Sequence, residues 1–378
     1  MTGKRIDVDS GRERRPIGGV LLNLGLAFLF LAVVGAIAGE YYLRFMADNT
    51  APPNTWGYHD IEPTLTDEDG ARVMILGDSF VEGIAVPVED TIGRRLESYL
   101  DAKTDARVFA LGKPGAGQAD ELDMLDAHIT QVRPGLVLVY FLPANDVMNN
   151  SALLEMKETK PRYFLSYGKL ERMPPQPPPH EARSKLRIVD FVRQRWDRRN
   201  AEKLRIEAGQ GVPLDFRVYQ QPLTEVWTEA WIVTELLLTE IREHARMMGA
   251  RFGIVVIPDR HELDDQFVQK LAAEYPAASR LEWDTRSPAR RLEEYAKLEN
   301  IPVLDLYPVF KKANPDVVFL PDGHWSAAGH ELAAQASVDF VAQLLKAPAP
   351  ESTFKTSSPD KKSKLAAAGP PLRGPGGE

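Results

Sequence analysis

The sequence predicts a three-layer α/β/α fold built on a five-stranded parallel sheet, preceded by one N-terminal transmembrane helix. Three observations predict it. Between residues 70 and 346, short and nearly continuous apolar runs alternate five times with amphipathic ones, as expected of parallel strands covered by helices on both faces. Residues 17–38 are all apolar or Gly except Asn23, and a helix needs ~20 such residues to cross a bilayer. Of the 378 residues, 44% are hydrophobic, a globular composition able to support one large core.

The same composition closes off several functions. With no cysteine, disulfide scaffolds, thiolate metal sites and thiol nucleophiles are excluded. The 46 Lys and Arg against 54 Asp and Glu give a net charge of −8, whereas a nucleic-acid binder normally carries a basic footprint. No phosphate loop of the P-loop type is present, and Gly112, Gly115 and Gly117 are not spaced as a dinucleotide fingerprint. No nucleic-acid partner, cofactor or metal is therefore expected.

At the N-terminus, Lys4, Arg5, Arg12, Arg14 and Arg15 precede the apolar run, while Glu40, Arg44 and Asp48 follow it. The positive-inside bias places residues 1–16 in the cytoplasm and everything beyond about residue 40 on the periplasmic or extracellular side. Ala36-Ile37-Ala38 is a small-x-small site of the kind signal peptidase cleaves. A signal peptide, however, has an apolar core of ~7 to 15 residues, so residues 17–38 are expected to stay as an anchor. Residues 39–69 then form a linker to a domain at 70–346.

Within that domain, Arg72–Leu76 is a buried-strand pattern, and Glu89–Asp101 carries Ile92, Leu96, Tyr99 and Leu100 at helical spacing. Ala106–Leu111 is the second strand, Asp120–Arg133 a helix, and Gly135–Leu142 (GLVLVYFL) the third strand. Leu223–Met248 is a long helix, Arg251–Ile257 a strand, Pro288–Leu298 a helix, Ile301–Leu306 a strand and Ala327–Leu345 the closing helix. An insertion at 147–222 interrupts this rhythm, and loops that long carry function or structure of their own. It contains the polyproline stretch 173–180 and a basic amphipathic helix at 184–205. On that helix Leu186, Val189, Val192 and Trp196 face one way among eight Arg and Lys, with Arg183 just before it. Such a helix packs its apolar stripe on the domain or touches anionic head groups. Residues 347–378, with six prolines and a Lys361–Lys364 basic cluster, read as a disordered tail.

The chemistry gathers at the carboxyl ends of the strands, where open α/β sheets place their ligand crevice. The first strand runs into Gly77-Asp78-Ser79, the second into Gly112-Lys113-Pro114-Gly115, and the third into Pro143-Ala144-Asn145-Asp146. Asp322-Gly323-His324 precedes the last helix. A serine nucleophile needs a base to take its proton, and the imidazole needs an acid to fix its tautomer. Ser79, His324 and Asp322 are these three residue types. The tetrahedral intermediate needs donors aimed at its oxyanion, and the backbone N–H groups of Ser79 and Gly115 with the side-chain amide of Asn145 supply three. Asp78 braces the serine turn.

These four blocks together resemble the SGNH, or GDSL, hydrolases, whose blocks contribute Ser, Gly, Asn and His. The resemblance covers residues 70–150 and 224–345 and maps onto Ser79, Gly115, Asn145 and His324. It implies the SGNH, flavodoxin-like arrangement of the sheet and an esterase working through an acyl-enzyme on Ser79. The family more often places its acid three residues before the histidine. The two-residue spacing of Asp322 is similar to the alginate O-acetyltransferase-like branch, and Asp305 at the end of the fifth strand is the alternative acid. The expected function is a membrane-anchored, extracytoplasmic serine esterase acting on acyl esters, with an acylated polysaccharide or lipid as partner. Two alternatives stand beside it: an O-acetyltransferase modifying an extracellular polysaccharide, and a non-catalytic envelope scaffold that keeps the fold. His261, Glu262 and Asp264 read as a solvated loop rather than a metal site, and His330 as a helix-surface residue.

Overall fold

The computed structural model describes residues 17–48, 53–66, 70–157, 159–176 and 186–353. The expected cytoplasmic segment 1–16, residues 177–180 of the polyproline stretch and the tail beyond 353 lie outside the described residues. The described chain divides into two compact units, 17–48 with 186–204, and the remainder.

In the larger unit, β1 (Ala71–Gly77), β2 (Ala106–Gly112), β3 (Leu136–Phe141), β4 (Arg251–Val256) and β5 (Val303–Asp305) form one sheet in the order β2-β1-β3-β4-β5. Every pairing in it is parallel. All of β3 is buried, as are the last five residues of β1. A strand without a wet face needs cover on both sides. Helix α3 (Ile92–Thr104) and the C-terminal helix Ala327–Lys346 pack together as one layer, and α4 (Gln118–Val132) and α7 (Glu225–Met247) as the other. This is the three-layer arrangement expected. The predicted helix at 89–101 differs in one respect: a 3₁₀ turn, Val88–Asp90, precedes it, and Thr91 turns extended before α3 starts.

The chain order reverses across β1, with β2 on one side and β3 on the other. A crevice opens at such a switch point, outside the carboxyl ends of the strands. Loops from β1, β2 and β3 therefore converge there for topological reasons alone.

Residues 53–66, expected as linker, pack on the domain. Tyr58 is buried, and Asp60 pairs with Arg94 at 2.7 Å and accepts from the Ala110 backbone N–H at 3.1 Å. The stretch 147–222 begins inside α5 (Pro143–Asn150). It continues as a two-stranded antiparallel hairpin, Arg162–Ser166 with Lys169–Met173, and then as α6 (Arg187–Ala208). The Leu165 N–H donates to Glu229 of α7 at 3.2 Å, which ties the hairpin to the helix layer.

In the smaller unit, α1 (Ile17–Asp48) is a 32-residue helix. At 1.5 Å per residue it is about 48 Å long, against ~30 Å for a bilayer core. Within it Leu24–Arg44 is the one segment among the described residues that is long and apolar enough to cross a membrane. Glu40 accepts from the Ile188 backbone N–H of α6 at 2.8 Å. Val189, Phe191, Val192 and Trp196 of α6 are exposed.

Candidate active site

Ser79 is the first residue of α2 (Ser79–Glu82), a single turn that begins where β1 ends. Asp78 caps that turn, its Oδ1 accepting from the Phe80 N–H at 2.9 Å. Below the turn, Gly112 closes β2 so near the backbone of Glu82 that a Cβ there would lie 2.2 Å from the Glu82 nitrogen. Only glycine permits that approach. From the 53–66 segment, His59 Nδ1 meets the Glu82 carbonyl at 3.0 Å.

His324 arrives from the other end of the chain. The Leu320 N–H donates to the His324 carbonyl at 2.7 Å, and Phe319 bridges Trp325, folding residues 319–325 into a tight loop. Phe80 and Trp325, the residues that follow Ser79 and His324, are both buried, and their rings meet edge-on at 5.0 Å. This aromatic contact holds the two loops together, with Phe310 stacked behind Trp325 at 5.5 Å. The result brings His324 Nε2 to 2.9 Å from Ser79 Oγ. His324 Nδ1 lies 3.2 Å from Asp322 Oδ2, and the His324 backbone N–H donates to Asp322 Oδ1 at 3.1 Å. Burial pushes the Asp322 carboxyl up, but hydrogen bonds from the His324 backbone and ring outweigh it and hold the carboxyl below its ordinary value. Ser79, His324 and Asp322 thus stand in line, with the acid and base both partly open to solvent.

Gly115 sits at φ +63° in the loop after β2, a conformation that favours glycine. Among the described residues, the backbone N–H groups of Ser79 and Gly115 have no acceptor. Asn145, in the first turn of α5, donates from Nδ2 to Asp78 Oδ2 at 3.0 Å. The three expected oxyanion donors therefore come from the loops after β1, β2 and β3.

Sequence reading passed over the support beneath them. Asn149, one helical turn after Asn145, donates from Nδ2 to Asn145 Oδ1 at 2.8 Å and to the Gly115 carbonyl at 2.7 Å. Lys160 Nζ also donates to the Gly115 carbonyl. Deeper still, Asp146 accepts from Gln118 at 2.9 Å and from the Leu142 N–H at 3.0 Å, while Gln118 also reaches Glu121 at 3.4 Å. Burial raises all three carboxyls beneath the site: Asp78 to about 6, Glu121 and Asp146 well above the carboxylate range, the latter two further through neighbouring carboxylates. Asn149 was within reach of helical periodicity, since positions four apart share a face. The contact of Lys160 spans 45 positions and leaves no such trace.

The remaining candidates separate from the site. Asp305, the alternative acid, pairs with Arg286 and accepts from the Tyr307 N–H at 2.9 Å. His261 is held by Asp259 at 2.6 Å, Asp264 by Lys270 at 2.6 Å, and Glu262 is buried against Arg286 at 2.7 Å. These three side chains turn to three different partners, and Glu262 is not the solvated residue expected. His330 is also corrected: it is 1% exposed, and its Nδ1 accepts from the Ile92 N–H at 3.2 Å, because that side of the C-terminal helix packs on α3.

Residues 232–368 match the family model of the SGNH hydrolase-like domain of the acetyltransferase AlgX. The matched segment contains Asp322 and His324, and Ser79, Gly115 and Asn145 precede it. No curated protein sequence matches the chain. Among solved structures, it is similar to a member of the lipolytic G-D-S-L family from Veillonella parvula DSM 2008 (12% identity, TM-score 0.39, covering 71% of this chain and 97% of that one). It is also similar to the lipase/acylhydrolase from Enterococcus faecalis (15%, 0.38, 74% and 98%). A third is the psychrotrophic esterase EstA from Pseudoalteromonas sp. (12%, 0.35, 73% and 99%). Over residues 232–368 the chain is thus similar to the SGNH hydrolase-like domain of the acetyltransferase AlgX.

Proposed function

We propose that the protein transfers acyl groups through an acyl-enzyme on Ser79. The observation that supports this most is the line Ser79 Oγ, His324 Nε2, His324 Nδ1, Asp322 Oδ2, with gaps of 2.9 and 3.2 Å. His324 takes the hydroxyl proton as Ser79 Oγ attacks the acyl carbon, and Asp322 holds the imidazole tautomer that leaves Nε2 free to accept. The carbonyl oxygen gains the charge, and the N–H groups of Ser79 and Gly115 with the Asn145 amide receive it. Collapse expels the alcohol, which takes its proton from His324. A second hydroxyl, from water or an acceptor, then gives its proton to His324, attacks the Ser79 ester and restores the serine.

The first reading of the second step is hydrolysis, making the protein an esterase of acyl esters. The match to the acetyltransferase AlgX domain over the segment that holds Asp322 and His324 favours a second reading, transfer to a sugar hydroxyl of an extracellular polysaccharide. An aryl acetate offered to the purified chain with and without oligosaccharide decides between them. Free acetate alone supports the esterase, and an acetylated oligosaccharide the transferase. In either reading α1 is the anchor, the basic segment 1–16 stays cytoplasmic and the catalytic domain lies outside the membrane. Protease added to intact cells or spheroplasts tests this placement, which requires cleavage within residues 53–353 and protection of the N-terminus.

A further inference from the structure

Each of the three oxyanion donors sits on its own loop, so something must keep them in register. One side-chain amide bonds directly to both the Gly115 loop and Asn145. Asn149 is 2% exposed, and a side-chain amide nitrogen carries two N–H donors. In Asn149 both are committed, one to the Gly115 carbonyl at 2.7 Å and one to Asn145 Oδ1 at 2.8 Å. Asn145 in turn gives one N–H of its amide to Asp78 Oδ2 at 3.0 Å, beside Ser79, and has one N–H left for the crevice. A continuous chain therefore runs Gly115, Asn149, Asn145, Asp78, touching all three donor segments.

From this we infer that Asn149 is a positioning residue for the oxyanion hole, acting through Asn145 and Gly115 and not on the substrate. This role rests on the acyl-transfer reading above. By claiming Asn145 Oδ1, Asn149 fixes which end of that amide faces the developing charge. With the amide reversed, an oxygen would meet the oxyanion. By holding the Gly115 carbonyl, it fixes the peptide plane of a glycine that sits at φ +63° and has no side chain to restrain it. Lys160 is a second donor on the same carbonyl, with its Nζ 3.7 Å from Asp120 and 3.8 Å from Glu155. Of the donor segments it bonds to Gly115 and not to Asn145, so it cannot replace the link to Asn145.

The test uses the full chain and Asn149→Leu, which keeps the bulk and removes both donors; Asn149→Ser, too short to span both acceptors, replaces it if the leucine variant does not fold. With an aryl acetate, the expected result is a kcat lowered about 10-fold or more, with KM within about twofold. Adding Asn149→Leu to Asn145→Ala should cost less than the product of the two single effects, because part of the effect of Asn149 passes through Asn145. An unchanged kcat, or fully multiplicative effects, overturns the inference. A crystal structure of the variant provides a readout that needs no turnover: the Asn145 amide or the Gly115 peptide should be displaced, and both remaining in place would overturn the role. Absence of Ser79-dependent turnover in the wild type would instead sink the acyl-transfer reading, and the crystal structure would still decide whether Asn149 sets the two groups.

Discussion

His324 Nε2 stands 2.9 Å from Ser79 Oγ across a separation of 245 positions. The contact is built from neighbours: Phe80 and Trp325 pack edge-on behind the pair, and Asp78 caps the turn that presents the serine. Replacing Ser79 by Ala should abolish turnover of an aryl acetate and leave stability within about 1 kcal/mol, since Ser79 is half-buried and its hydroxyl bonds to the partly exposed His324. Urea denaturation alongside the activity assay checks both halves. A large loss of stability would make the serine a structural residue.

Asp322, proposed to orient His324, has a side chain that is 62% exposed. A buried orienting aspartate is worth ~10⁴ in kcat, and solvent weakens an exposed one. Asp322→Asn should therefore lower kcat by roughly 10- to 100-fold and leave KM nearly unchanged. The same substitution at Asp305, which is engaged by Arg286 and Tyr307, should leave kcat within about twofold. A larger kcat loss at Asp305 than at Asp322 in steady-state kinetics would reverse the assignment of the acid.

Removing an oxyanion donor costs ~100-fold or more in kcat. Asn145→Ala should show a loss of that size, and an unchanged rate would take Asn145 out of the site.

His330 makes the fold sensitive to acid. Burial, the largest cause, lowers its pKa from 6.5 to about 4. The folded chain thus keeps the imidazole neutral, able to accept from the Ile92 N–H, while the unfolded chain protonates it near 6.5. The stabilisation is full above pH 6.5 and is lost as pH falls toward 4, by roughly 3 kcal/mol for a difference of this size. Thermal unfolding between about pH 7 and 4 should show a steeper fall in Tm for the wild type than for His330→Gln, which can still accept the bond but does not titrate. Parallel curves would mean that His330 does not carry this dependence.

The strands that carry the site were legible because each is an apolar run ended by Gly or Pro: Gly77 closes β1, Gly112 closes β2, and Pro143 follows β3. A parallel strand order then sends their loops to one place, so the convergence of the loops that carry Ser79, Gly115 and Asn145 was readable from the strand pattern. The last strand was overextended, since Ile301 and Pro302 are as apolar as the strand they lead into, although only Val303–Asp305 joins the ladder. His330 was misplaced because nothing in its own spacing tells which side of a closing helix meets α3. The supports at Lys160 and Gln118 were invisible for a related reason. Their bonds depend on which polar side chains the folded loops bring within about 3 Å, and polar residues carry no periodic signature that distinguishes a buried support from a wet surface.

The central claim is that Ser79 Oγ becomes acylated. The measurement that tests it most directly is peptide mass spectrometry of the full chain after reaction with a fluorophosphonate, beside Ser79→Ala and with circular dichroism to show that both are folded. The account predicts one adduct, on the peptide that contains Ser79, and none in the variant. A folded wild-type chain without an adduct, or one labelled equally after Ser79→Ala, would contradict it and leave the scaffold reading in its place.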